Sequence, residues 1–317
     1  MNAVTEANPN NVYIVIAKGN NTFKGLYRSS NSGLNFVERS GEDSDLFVGQ
    51  SWYDLTLTAS RTNADVLYLG EVEALKSTNG GVTWNGINNG GFGGVDLHVD
   101  QHDFEVHPIT NDVYFACDGG LYRSSNGGTT FSFISNGLNI TEYYRLGASM
   151  LDPNMVLAGA QDNGTMLYDN GEWTRFGGGD GMECLVDHSD VDIKVYSSQN
   201  GYIRISDHGS NKSFIDAATT NEEGAWTTPV VQHPVEQDVY WAGFSSIWKT
   251  EDRGDTWENM TGPLGSYMSH IEVAMANPNV VYATNGSTLY RSINNGITWE
   301  EFSFNNQGTC SSIAVDP

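Results

Sequence analysis

Positive charge is what this chain has least of. Its 317 residues carry 15 Lys+Arg against 39 Asp+Glu, a formal charge of −24. A surface this acidic repels phosphate backbones and anionic lipid, so nucleic acid and anionic membrane are excluded as partners. Cysteine is scarce too. Cys117, Cys184 and Cys310 are an odd number with no pairing pattern, and each falls in a predicted strand, where it reads as a small buried hydrophobe. No apolar run is long enough to span a bilayer, so no membrane insertion is expected. No segment sustains a 3.6-residue apolar period, which removes the helical folds. A nucleophile elbow, a phosphate loop and a paired catalytic signature are also missing.

What the chain has in abundance is turns, and one of them repeats. The pattern Ser/Thr-x-Asn/Asp-x-Gly-x-x-aromatic occurs as SSNSGLNF (Ser29 to Phe36), STNGGVTW (Ser77 to Trp84), SSNGGTTF (Ser124 to Phe131), TEDRGDTW (Thr250 to Trp257) and SINNGITW (Ser292 to Trp299). Two degraded copies, DNGEW at Asp169 and ISDHGSNKSF at Asp207, fill the gap. Consecutive central positions (31, 79, 126, 169, 207, 252 and 294) lie 38 to 48 residues apart, a period that signals a repeat architecture. Between copies the grammar is constant. A strand ends at a Pro-type turn (EVHP, MLDP, VQHP, AMANP), a second strand follows (NDVYFAC, NVVYAT), then a Gly- or Asn-rich turn, then a third strand (GLYRSS, TLYRSI). Alternating apolar residues with turn dipeptides between them read as antiparallel hairpins. Four strands in each of seven repeats give an all-β fold, a seven-bladed β-propeller with the repeated turn between third and fourth strands. The expected blades are 1–50, 51–95, 96–139, 140–177, 178–216, 217–262 and 263–306 of a single domain, with a closing strand at 308–317. The segments ANPNNVYIVI near the start, ANPNVVYAT in the last repeat and SSIAVDP at the end share one phase of the repeat. The expectation is a ring excised from a longer chain, in which Ile313–Val315 closes against the first blade or competes there with residues 2–6.

The repeated polar positions, Asn31 through Asn294, read as structural, because an Asn or Asp side chain accepts backbone N–H bonds within its own turn. Function has to come from what breaks the repeat. In LHVDQHDF, residues i, i+2 and i+4 of an extended strand would place His98, Asp100 and His102 on one face, a donor set suited to a divalent metal such as Zn or Ca. Asp118 lies in ACDGG, Gln161, Asp162 and Asn163 in GAQDNG, and Asp180 and Glu183 in GGGDGMEC, whose glycines would admit close backbone approach to a ligand. Arg145 enters the fourth blade, expected to pair with one of these acids. His107 and His233, beside Pro turns, read as structural. Asp100, Asp162 and Asp180 are the catalytic candidates. Asp118, Gln161, Asp162, Asn163, Asp180 and Arg145 are the ligand-binding set.

The repeated turn resembles the Asp-box of the BNR-type propellers, a group that includes sialidases, xyloglucanase-type glycosidases, sortilin-like receptors and a photosystem assembly factor. The combination HxDxH, DGGLYRSSNGGTTF, GAQDNG and GGDG looks like large secreted Bacteroidetes-type proteins that carry such propellers and a type IX sorting tail. That resemblance implies export, a cell-surface or extracellular place, and neighbouring domains. It implies no reaction. The better-known relatives fit less closely: arginines such as Arg28, Arg123 and Arg291 sit in LYRS strands rather than in a sialidase triad, and one propeller does not make the two-propeller cleft of a xyloglucanase.

Two functions follow. The preferred one is a binding or scaffold domain holding a metal ion, a glycan or a peptide on the face of blades three to five. The other is a polysaccharide-active enzyme. As a glycoside hydrolase it would use two of Asp100, Asp118, Asp162 and Asp180 as acid and base; as a lyase it would use His98 or His102 as base. Trp52, Tyr53, Tyr143, Tyr144 and Trp226 would serve either as sugar platforms or as packing.

Overall fold

The turn residues explain the strands they separate. In the intact repeated turns a Ser or Thr hydroxyl accepts the Gly N–H and the Asn or Asp carboxamide or carboxylate accepts the N–H four residues on. Gly81 N donates to Ser77 Oγ at 2.9 Å and Thr83 N to Asn79 Oδ1 at 3.0 Å. Gly128 N to Ser124 Oγ (2.8 Å) and Thr130 N to Asn126 Oδ1 (2.9 Å) repeat the pattern. So do the turns at Asp252 and Asn294. These side chains supply acceptors that a tight turn otherwise leaves to water. The copies at Asp169 and Asp207 are different. There the third and fourth strands join through two residues, Asn170–Gly171 and His208–Gly209, all four at positive φ. That is the two-residue hairpin turn favoured by strand twist, so these positions are replacements of the motif rather than weak copies of it.

The computed structural model describes residues 1–87, 97–304 and 308–315. It has the expected fold, an all-β seven-bladed β-propeller of seven four-stranded antiparallel sheets, each with its strands in chain order. The sheets divide between two compact units, Met1–Ile140 with three and Thr141–Pro317 with four.

In the first unit the sheets run over 2–40, 56–86 and 101–133. The second strand of the second sheet, Leu67–Gly70, is buried at all four residues. The fourth strands are short and exposed, as at Asn85–Gly86 and Ser132–Phe133, which limits the length of free sheet edge. Asn2–Val4 pairs with the Val12–Ala17 strand and takes the first place in its sheet. Residues 308–315 form no strand, so the expected closing strand at Ile313–Val315 is not seen among the described residues. Phe104, Phe115 and Phe131 make an edge-to-face chain within the third sheet's core.

In the second unit the sheets run over 143–175, 181–215, 230–259 and 270–303, with one helical turn at Ala217–Thr220. Its first two sheets meet backbone to backbone. A Cβ on Gly159 would fall 2.0 Å from the Met182 carbonyl oxygen, and one on Gly181 would fall 2.3 Å from that of Gly164. Gly181 therefore serves sheet packing. His107 and His233 are structural as expected: each Nδ1 accepts two backbone N–H groups of its Pro turn.

Cys117 and Cys184 are buried in strands, and burial pushes both thiols up to about 12. Cys310 departs from expectation, lying outside any strand and partly exposed.

Candidate functional site

The first unit gathers most of its chemistry where the turns of the second and third sheets meet the link 46–54. Glu71 organises that link. It is buried and accepts from the backbone N–H groups of Val48 (2.8 Å), Gly49 (2.9 Å) and Gln50 (2.7 Å), which fixes the segment that carries Trp52, Tyr53 and Asp54. Tyr53 packs its ring edge-on against His102, centroids 4.9 Å apart, and Trp52 lies 5.5 Å from Tyr53. Trp52 stays 71% exposed and Tyr53 49% exposed, so the pair forms an open aromatic surface.

The strand expected through His98, Asp100 and His102 is absent. The strand begins at Gln101, and Asp100 adopts a left-handed conformation with φ 62°. The alternation argument fails because period-two side-chain geometry holds only for extended backbone. The reason is tertiary: Asp100 N donates to Val72 O, and Asp118 N donates to Asp100 O, so the residue bends to bridge two turns. His98 donates from Nδ1 to the Val99 carbonyl, and His102 donates from Nε2 to Asp118. The three proposed ligands do not bring their donor atoms within 4.8 Å of one another; among the described residues Asp190, Asp192 and His208, on exposed turns, are the group that does.

What replaces a metal set is a carboxyl cluster. Asp54, missed in the sequence, is fully buried, and its carboxyl lies in hydrogen-bond reach of the Asp100 carboxyl. Burial first, then the charge of Asp100, pushes its carboxyl up to about 7. Asp100 is raised as well, by burial and then by the charge of Asp118, while Gln50 Nε2 donates to it at 3.3 Å. Two carboxyls this close do not both ionise easily, so they hold a proton between them near neutrality. The only sign of Asp54 in the sequence is its place between an exposed-type Trp-Tyr pair and an apolar strand.

The second unit holds the other candidates. Asp180 accepts the backbone N–H of Asp162 at 2.7 Å, and Gln199 Oε1 accepts the Asp180 N–H at 3.1 Å. Asn163 donates from Nδ2 to Gln161 O. Tyr144 donates to Gln161 Oε1 (3.2 Å), and Trp226 Nε1 donates to the Tyr144 hydroxyl (3.2 Å). This group is thus knit together mainly as a turn scaffold. Arg145 pairs with an acid as expected, and the acid is Glu183, 3.3 Å away. Burial pushes Glu183 up to about 7 despite that guanidinium. Tyr143 stacks on Trp173, and both rings stay about half exposed. The four acids offered as an acid/base set are therefore divided, Asp100 with Asp118 in the first unit and Asp162 with Asp180 in the second.

No family model matches the chain. It is similar to a xyloglucanase of Hypocrea jecorina (strain QM6a), 34% identical over 89 residues, which is 26% of this chain and 11% of that protein. The chain thus spans about a tenth of the curated relative it matches. Among solved structures it is similar to a Niastella koreensis GH74 enzyme, with TM-score 0.36 and 15% identity over 95% of this chain and 64% of that one. It is also similar to YCF48 from Cyanidioschyzon merolae, with TM-score 0.35 and 15% identity over 96% of this chain and 95% of that one. No helix among the described residues is long and apolar enough to cross a membrane.

Proposed function

We propose that this chain is a glycan-binding propeller domain of an exported, cell-surface protein, and that its binding surface lies in the first unit at Trp52, Tyr53, His102, Asp100 and Asp118. The carrying observation is the open Trp52–Tyr53 surface set directly against the His102–Asp118 pair. Aromatic faces stack on the apolar faces of sugar rings, and carboxylates beside them accept sugar hydroxyls. The charges that raise Asp54 and Asp100 are those of other carboxylates, Glu71 and Asp118 among them. The surface therefore suits neutral sugars and disfavours anionic ones. The stretch similar to a xyloglucanase supports a neutral plant-type polysaccharide as the ligand class. A glycan contact of this kind needs no metal, since His102 is committed to Asp118 and His98 to Val99.

A second reading is hydrolysis. The raised carboxyls of Asp54 and Asp100 beside Asp118 favour it, because a glycosidase needs one protonated and one ionised carboxyl at neutral pH. In that reading Asp100 and Asp118 are the acid and base.

One experiment addresses both. Wild type, Trp52→Ala and Asp100→Asn are run by affinity electrophoresis and calorimetry against xyloglucan and other neutral polysaccharides, with reducing ends measured on the same samples. Binding should weaken about tenfold or more in Trp52→Ala at unchanged melting temperature. Equal binding by wild type and Trp52→Ala would refute the site. New reducing ends, abolished in Asp100→Asn, would replace the binding reading with hydrolysis.

A further inference from the structure

The arginines of this chain are almost all spoken for. It has nine. Arg28, Arg61, Arg123, Arg145, Arg253 and Arg291 each pair with a carboxylate. Arg39 donates to the carbonyls of Asn79 and Gly80. The two that remain, Arg175 and Arg204, have no carboxylate partner among the described residues. They line the same cavity, of about 400 Å³, in the second unit. In a chain of charge −24, where Asp and Glu outnumber Lys and Arg by 39 to 15, two like charges left unneutralised side by side stand out.

The cavity is built to hold them. Arg204 lies 4.0 Å from the centroid of the Tyr202 ring and 5.6 Å from that of Tyr196, which orients its guanidinium plane through cation–π contact. Tyr196 is itself fixed, donating its hydroxyl to Asn211 Oδ1 at 2.9 Å and packing edge-on against Phe176. Arg175 uses only its Nε, on the Gly177 carbonyl at 3.3 Å. The Nη groups of both arginines donate to no acceptor among the described residues. Lys194 Nζ lies 5.8 Å from the centroid of the Phe176 ring, which adds a third cation to the neighbourhood. Guanidinium forks with unused parallel donors match the oxygens of a carboxylate or a sulfate.

We infer that the Arg175–Arg204 cavity is an oxyanion site, taking the carboxylate or sulfate ester of an acidic sugar, whose ring would lie against Phe176 and Tyr196. The choice of a sugar as carrier rests on the glycan reading above; the oxyanion itself does not. This site is separate in chain and in charge from the neutral-sugar surface at Trp52.

The arginine Nε–Hε resonances of ¹⁵N-labelled full-length chain are titrated with three probes: inorganic sulfate, trigalacturonate and trigalacturonate methyl ester. Saturable shifts of Arg175 and Arg204 are expected with sulfate and with trigalacturonate, the free acid binding about tenfold tighter than its ester. Arg204→Gln should lose that preference. Gly178→Asp should lose it too. A Cβ at Gly178 would meet nothing closer than Arg175 Nη2 at 3.7 Å, so the new carboxylate is sterically allowed and would occupy the arginine itself. Sulfate binding without trigalacturonate binding supports the site and assigns it to sulfate esters. No shift with either anion, or equal trigalacturonate affinity in wild type and Arg204→Gln, overturns the proposal. Trp52→Ala leaves these shifts unchanged, so failure of the neutral-glycan reading and failure of this one are seen separately.

Discussion

Replacing Asp54 by Asn should make the protein more stable, and more so as the pH rises. Asp54 is fully buried against the Asp100 carboxyl, and its own carboxyl is pushed from 3.8 to about 7 by burial and by the charge of Asp100. A shift of about 3 units corresponds to about 4 kcal/mol of differential interaction between the two protonation states. The sign follows from linkage. The folded state holds a proton that the unfolded chain releases near pH 4, so the associated stability is complete below pH 4. It is lost progressively up to about pH 7. Asn keeps the volume, carries no charge and can donate an amide hydrogen to Asp100. Its advantage over Asp should therefore be about 2 to 3 kcal/mol larger at pH 8 than at pH 5. Urea denaturation of wild type and Asp54→Asn across pH 4 to 9 measures this directly. The background of acids not in contact with Asp54 cancels in the difference, including Glu183, which shares the same pH window in the other unit. Parallel stability curves for the two proteins would refute the reasoning, since they would mean that Asp54 is solvated or already paired.

The remaining expectations are simpler. Asn126→Ala removes an acceptor that serves Ser124 Oγ, Thr129 N and Thr130 N, and should cost about 1 to 3 kcal/mol in denaturant melts; an unchanged midpoint would show the turn to be self-supporting. Of the three thiols, Cys310 alone should react with a thiol reagent under native conditions. Cys117 and Cys184 are buried and held protonated, so a native count above one would contradict their placement.

The sequence by itself determined the fold. The signal was periodic and local: a turn that needs Ser, Asn and Gly at fixed offsets must keep those residues, and the structure shows each of them bonded within its own turn. The structural roles of His107 and His233, and the burial of Cys117 and Cys184, were readable for the same reason, since short-range geometry sets them. The site was a different matter. Asp100 was expected on a strand, and long-range bonds to Val72 and Asp118 bend it out of one. Asp54 and Glu71 carried little sequence signal, because their meaning lies in burial and in neighbours from other turns. Likewise Arg175 and Arg204 look like any other arginines until the carboxylates of the rest are counted. Tertiary structure alone decided these, for a physical reason: a backbone turn is satisfied by atoms within five residues, whereas a carboxyl's proton affinity and a guanidinium's vacancy depend on which distant side chains folding brings, or fails to bring, beside them.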